Sequence, residues 1–399
     1  MSITSAMQTG VSGLLANGEA ISVIGNNLAN VNTTGFKEGR TLFSDMLSSN
    51  INRGQIGRGT QIEAVQNIFS QGSLQSTGSS TDLAIQGDAM FVVQDPASSA
   101  RYYTRDGSFT FDKNNILTNA EGDQVLGFGI SNGVSNGVPG TINIGNYETM
   151  APKATTAVNL MANLDSTQAV PTAAWTPAAA GFNPITASNF STSTSVYDAQ
   201  GNAKQLTLYF AKTGANAWSV YTYDGTTYTA AGAGFPLTFN ANGALATGSP
   251  ITSNGVSINL TGTTQFASAS SISSQSQDGY GAGSLQKVSV DENGYVNVLY
   301  TNSQTQKIAQ VALAKFASPQ GLDKEGNNLY SATTASGQAI VDPSNYASNQ
   351  VSANSLEQSN VDMSDQLVQM IETQRSYTAN SKTITTADQM IQDTLNIIR

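Results

Sequence analysis

The sequence contains no histidine and no cysteine. Without His, the usual general base near neutral pH is missing and neither Ser-His nor Cys-His nucleophilic pairs can be built. Without Cys, disulfides, thiolate nucleophiles, zinc fingers and iron–sulfur ligation are excluded as well. Carboxylates, Lys, Tyr, Ser and Thr are what remain for chemistry, and no cofactor or metal is expected. Charge is also scarce: Asp, Glu, Lys and Arg make up 11% of the chain, with 17 basic against 27 acidic residues and a net charge of −10. That balance lacks the basic footprint that nucleic acid or an anionic membrane would demand. No apolar run is long enough to span a bilayer, so neither nucleic-acid binding nor membrane insertion is expected. The first residues have no basic region, no continuous apolar stretch and no small-residue cleavage site, and do not read as a secretory signal. Composition alone therefore points to the cytoplasm unless a dedicated export route intervenes; the missing cysteines leave the compartment open.

What is present divides into two similar ends and a different middle. The 399 residues suffice for two or three domains. Near the start, Met7, Leu14, Ile21 and Leu28 lie seven apart and Ile24 belongs to a second series, an a/d heptad pattern. Gly10, Gly13, Gly18 and Gly25 weaken this segment as an isolated helix. At the other end Leu356, Met363, Met370, Tyr377, Ile384, Ile391 and Ile398 continue one seven-residue series, supported by Leu367 and Leu395. Asp362 or Ser364 is the expected cap, and neither Gly nor Pro occurs beyond Asp362 to interrupt the helix. Heptads at both extremes predict that the ends pair with each other and with neighbouring subunits in a coiled-coil-like layer. Backbone ordering costs roughly 1 to 2 kcal/mol per residue, whereas a buried large apolar side chain returns roughly 1.5 to 3 kcal/mol. With so few residues on the stripe, the ends are expected to order fully only on assembly.

The fold class predicted is mainly β with α-helical termini, a terminal coiled-coil-like helix pair plus nested all-β domains. The expected division is 1–33 with 360–399 as a helical polymerisation domain, 34–70 as a connecting segment, 71–145 with 279–359 as a discontinuous β domain, and 146–278 as an inserted outer β domain. Residues 82–93, 101–111 and 123–130 read as strands, 287–300 as a hairpin and 307–316 as a further strand. Within the insert, 195–212 and 217–231 read as hairpins, turning at Asp198 to Asn202 and at Asp224 and Gly225. Residues 169–184 look loose and 268–277 form a polar tract.

Candidate chemical sites have plain explanations. Asp291, Glu292, Asn293 and Gly294 lack the spacing and terminal Glu of a calcium loop and are read as a hairpin turn. Gly54, Gly57 and Gly59, beside Arg53 and Arg58, have no preceding strand and no following Gly-Lys-Ser/Thr, and are read as a connector. No spacing singles out a catalytic carboxylate pair.

Residues 25–37, GNNLANVNTTGFK, closely resemble the signature of the flagellar rod and hook protein family. The motif residues are Gly25, Asn26, Asn27, Asn30, Asn32, Gly35 and Phe36. Further matches are DLAIQGDAMFVV, RDGSFTFDKNNILTNAEGDQVLGF and the stretch from Ser359 onward. The insert, the 287–316 block and the total length resemble the hook members more than the shorter rod members. A distal rod subunit is the nearest alternative; an unrelated surface adhesin would explain the middle but not the heptad ends.

The resemblance implies a non-enzymatic structural subunit that self-assembles into a curved flexible tube, a universal joint carrying torque from rod to filament. Implied partners are other copies of the chain, the flagellar rod, hook-cap and hook–filament junction proteins, and the flagellar type III export apparatus. The implied location is the flagellar hook, outside the cell after export. Met7, Leu14, Ile21, Ile24 and Leu28 would pack against Met370, Ile384, Ile391 and Leu395, with Leu367 also at the subunit interface. Asn26, Asn27, Asn30 and Asn32 would satisfy backbone groups where helix gives way to connector; direct subunit recognition by those side chains is the alternative.

Overall fold

A computed structural model describes residues 3–46, 58–131, 133–179, 181–228, 234–343 and 349–397. Ile398 of the C-terminal heptad series, and Arg53, Gly54 and Gly57 of the glycine-rich stretch, lie outside the described residues. The chain is mainly β with one long helix towards each end: α1 (Ile3–Ala29) and α2 (Met363–Ile397). Asp362, not Ser364, caps α2, because its Oδ1 accepts the amides of Ser364 and Asp365 at 2.7 and 3.3 Å. With neither Gly nor Pro inside, α2 runs 35 residues.

Two compact units divide the chain: residues 1–146 with 287–299 and 305–399, and residues 147–286 with 300–304. In the first unit the organising strand is Thr305–Lys315, whose residues 308–314 are all buried. It pairs antiparallel with Tyr295–Tyr300, Gln124–Ser131, Met90–Gln94 and Ile340–Pro343. Continuous burial follows from both faces being covered, so the strand reads as an apolar run broken only by Gln310, whose Nε2 donates to the Asn293 carbonyl at 2.9 Å. Met90, Val92, Leu126, Phe128, Ala312 and Phe316 share one core. Tyr103 meets Phe316 edge-on at 4.7 Å.

The segment between α1 and this sheet is more ordered than a connector. Strands Gly39–Asp45 and Thr60–Asn67 form an antiparallel ribbon, with Gly39 opposite Asn67 and Asp45 opposite Thr60. Its far end touches α1, where the Thr60 amide donates to Ser12 Oγ at 3.3 Å.

The second unit is a β-sandwich. One sheet runs Phe190–Tyr197, Ala203–Gly214, Ala217–Tyr223, Phe235–Phe239, Leu245–Thr247 in order. The other is built on Ala157–Asp165. Inward residues of both, including Leu160, Leu208, Phe210, Trp218 and Ile258, form one core. Trp218 is completely buried and its Nε1 donates to Gln265 Oε1 at 2.8 Å.

Three details of the insert differ from expectation. The 217–231 hairpin is a strand followed by a turn with one bridge, Tyr223 to Tyr228, and the strand's ladders are with Ala203–Gly214 on one side and Phe235–Phe239 on the other; residues 229–233 lie outside the described residues. The loose stretch is anchored by Trp175, which stacks on Tyr221 at 4.1 Å. The polar tract contains a strand, Ser271–Gln277, paired antiparallel with Ala157–Asp165.

Candidate subunit interface

Close approach of α1 and α2 is made by small residues. A Cβ added at Gly10 would lie 2.9 Å from Ile384 Cγ1, and one at Gly13 2.6 Å from Asn380 Nδ2. Ala16, Ala20, Ile24 and Asn27 continue the buried row of α1. The glycines that weaken an isolated helix are thus what admits its partner. Met7, Leu14, Ile21 and Leu28 sit beside this seam and are half-buried. On α2, Met370, Ile384 and Ile391 are half-buried and Gln366 and Ala387 fully so. Leu367 and Leu395 point elsewhere and are 43% and 61% exposed, so the structure does not bring Leu395 against α1 within one chain. Val368, Ile371 and Met390 are exposed too.

Where α1 ends, the motif asparagines divide their work. Asn27, almost fully buried, grips Gly39 twice: its Nδ2 donates to the Gly39 carbonyl at 2.8 Å and its Oδ1 accepts the Gly39 amide at 2.9 Å. The same Nδ2 donates to Gln366 Oε1 at 3.0 Å, and Gln366 Nε2 donates to Glu38 Oε1 at 2.8 Å. One side chain therefore ties both helices to the start of the ribbon. Asn30 closes the last turn, donating to the Asn26 carbonyl at 2.9 Å and accepting from Thr33 Oγ1 at 3.0 Å. Asn32 is exposed. Gly35 has φ +68°, donates its amide to the Glu357 carbonyl at 2.8 Å, and has no room for a Cβ, which would fall 2.5 Å from the Asp106 amide nitrogen. Phe36 is buried beside it. Around Gly25, by contrast, an added Cβ would meet nothing within 4 Å.

Below this junction lies a charged cluster that the motif reading did not single out. Lys37, Arg105 and Glu357 are all buried. Lys37 Nζ donates to Glu357 Oε1 at 2.6 Å and to the Ser70 carbonyl at 2.8 Å. Arg105 Nη1 donates to Glu357 Oε2 at 3.1 Å and Nη2 to the Gly87 carbonyl at 2.7 Å, while its buried Nε has no partner. The Gly72 amide also donates to Glu357 Oε1, at 2.9 Å. One carboxylate thus gathers four chain segments, and two cations share it. Burial pushes the Lys37 ammonium below its ordinary pKa, opposed by Glu357 and aided by the charge of Arg105. The signal available in the sequence was that three charged residues of a charge-poor chain stand inside or beside the matched segments. A groove of about 700 Å³ lies alongside, bordered by Asn26, Asn30, Phe36 and Lys324. Among the described residues no acidic cluster could hold a metal, and no helix is long and apolar enough to cross a membrane.

Four family models match successive stretches of the chain. They are described as flagella basal body rod protein over residues 7–37, flagellar hook protein FlgE/F/G D1 domain over 84–162, flagellar basal body protein FlaE D2 domain over 159–280, and flagellar basal body rod FlgEFG protein C-terminal over 352–397. Paired terminal helices, a β unit and an inserted β-sandwich in this order define a structural protein of the flagellar rod and hook class. Whole-chain similarity narrows the class. The flagellar hook protein FlgE of Escherichia coli K12 is 36% identical over 98% of this chain and 100% of its own length, and that of Rhizobium meliloti is 33% identical over 100% of both. The chain belongs to the flagellar hook protein family and is a structural subunit of the hook; the distal-rod and adhesin alternatives are not favoured. The crystal structure of Helicobacter pylori flagellar hook protein FlgE2 shares the fold, with a TM-score of 0.52 at 14% identity, over 71% of this chain and 100% of that one.

Proposed function

We propose that this chain polymerises through its terminal helices into a curved tube that passes torque from the flagellar rod to the filament. What carries the reading is the apolar outer surface of the helix pair, where Leu15, Leu367, Val368, Ile371, Met390 and Leu395 are all exposed. Apolar area left in water forfeits about 25 cal/mol per Å² relative to burial, so neighbouring copies are the natural cover. Residues 1–33 with 360–399 act as the polymerisation layer in this reading, and 34–70 as its link to the β domain of 71–145 with 279–359. Residues 146–278, the outermost part, are free to slide past their counterparts as the tube bends. Contacts between unlike faces that do not close yield a helical polymer. Rod, hook-cap and hook–filament junction proteins are the partners at its ends, and delivery is by the flagellar type III export apparatus. No catalytic role is assigned, in keeping with a chain that lacks His and Cys.

Electron microscopy of the concentrated full-length protein, beside a form lacking residues 1–33 and 360–399, tests the proposal. Tubes from the full chain alone are expected; tubes from both forms would refute the role of the ends. Ile391→Asp, which places a charge on the half-buried face of α2, is expected to abolish tubes while leaving the β units folded by circular dichroism. Normal hooks assembled from that variant in cells would count decisively against the model.

A further inference from the structure

The helix pair carries charged side chains that form no ion pair among the described residues. Glu19 is the sole charged residue from position 3 to position 36, and it is exposed. Arg375 and Lys382, the two basic residues of α2, are exposed as well. None of the three takes part in an ion pair among the described residues. At about 100° per residue, Val368, Arg375 and Lys382 share one row of α2 on the side away from the seam. The outward side of α1 carries Val11, Leu15, Gly18 and Gly25, with Glu19 at its rim. Val368 is 55% and Leu15 66% exposed, and added Cβ atoms at Gly18 or Gly25 would meet nothing.

The antiparallel register is constant along the pair: Gly10 lies beside Ile384, Gly13 beside Asn380, and Asn27 is bonded to Gln366. Carried between these points, it sets Glu19 level with Arg375 and Gly25 level with Val368, on opposite outer faces. We infer that a second copy of this chain docks its α1 on the outer face of α2, with Arg375 paired to the neighbour's Glu19 and Val368 seated over the neighbour's Gly25. This rests on the polymer reading above and names its contact. The joined faces differ, so each copy offers one to either side and the contact repeats head to tail, giving an open helical polymer where the rotation between copies does not close. The apolar seat supplies burial, and the charge pair fixes which height of one helix meets which height of the next.

The test uses the full-length chain polymerised with polyethylene glycol at low salt and measured by sedimentation. Glu19→Arg and Arg375→Glu are each expected to raise the concentration needed for tubes about tenfold, and the double variant to return it to near the parent value. Single variants that match the parent, or a double variant as defective as either single, would overturn the pairing. A parent chain that forms no tubes under any condition would instead defeat the polymer reading itself. Because the protein has no cysteine, Gly25→Cys with Val368→Cys in one chain gives an independent readout. Oxidised tubes should yield a ladder of covalent multimers on a denaturing gel; uncrosslinked chains would overturn the contact.

Discussion

The two ends of the helix pair are held in opposite ways. At the root, Asn27 and Gln366 are buried and bonded to each other, to Gly39 and to Glu38, above the cluster of Lys37, Arg105 and Glu357. At the tip, Gly10 faces Ile384 and Gly13 faces Asn380, and most residues of α2 near that end are exposed. Polar groups bonded to one another out of water favour a single geometry, and in the root all but the Arg105 Nε are so bonded. A seam of small residues gives closeness but little buried area. The root is therefore a property of the chain, whereas in the proposed polymer the tip would take its stability from neighbours.

The sharpest way to break this contrast is at Glu357. Glu357→Leu leaves two buried cations without a counter-ion, and loss of one partner from such a pair costs about 3 to 5 kcal/mol. Urea unfolding of the full chain should show that loss in the first unit while the inserted sandwich melts as before; an unchanged transition would remove the cluster from the account of the root. A smaller loss is expected for Asn27→Leu. It strips partners from the Gly39 amide and carbonyl and from Gln366, at about 1 to 3 kcal/mol for a buried group left unsatisfied. Gly13→Leu should act at the tip alone. Overpacking costs about 1 to 3 kcal/mol, offset in part by the better helix propensity of Leu, about 1 kcal/mol. Hydrogen exchange should report faster opening of α1 and α2 around residues 10–20 and 375–391, with the β units unaltered. Equal loosening of the strands would mean that root and tip are one cooperative unit.

How far the sequence could be read depends on which physical signal each element leaves. Turns were legible because Asp writes its own hydrogen bonds: Asp112, Asp198 and Asp291 accept amides two and four residues on, as expected of such turns. The buried strand Thr305–Lys315 announced itself by its apolar run. Strand Ser271–Gln277 could not, since nearly every residue is exposed and no apolar alternation marks it. From sequence the ribbon after α1 reads as a connector because its two strands are separated by residues 47–57, with no two-residue turn signal between them. Heptads located both helices, yet the seam runs through Gly10, Gly13, Ala16 and Ala20. Periodicity weighs side chains by size, while close helix packing selects small ones. Burial of Lys37, Arg105 and Glu357 is a long-range fact, joining residues 320 and 252 positions apart, and no local pattern encodes it.

The smallest expected effect is also the most discriminating for the root. Lys37→Met removes one of two cations that share a single carboxylate, so Glu357 keeps Arg105 and the Gly72 amide. Replacing part of a buried ionic cluster by a well-packed apolar side chain is often close to neutral, and a change within about 1 kcal/mol is expected at pH 7. The pH dependence distinguishes this from a mere surface change. Burial holds the folded pKa of Lys37 below 10.5, so the unfolded chain keeps a proton that the folded chain has already released. Between the folded value and 10.5 the unfolded state binds more protons, and the contribution of this group to stability rises with pH. Below that window the folded protein bears the full cost of a buried second cation. Thermal melts of parent and Lys37→Met from pH 7 to 10.5 should therefore show the parent gaining on the variant as pH increases, with other alkaline titrations cancelling in the difference. A gap that stays constant, or widens in favour of the variant, would mean that Glu357 stabilises the Lys37 ammonium at least as much as burial disfavours it, and the root would then be held by two full ion pairs instead of one pair and a tolerated charge.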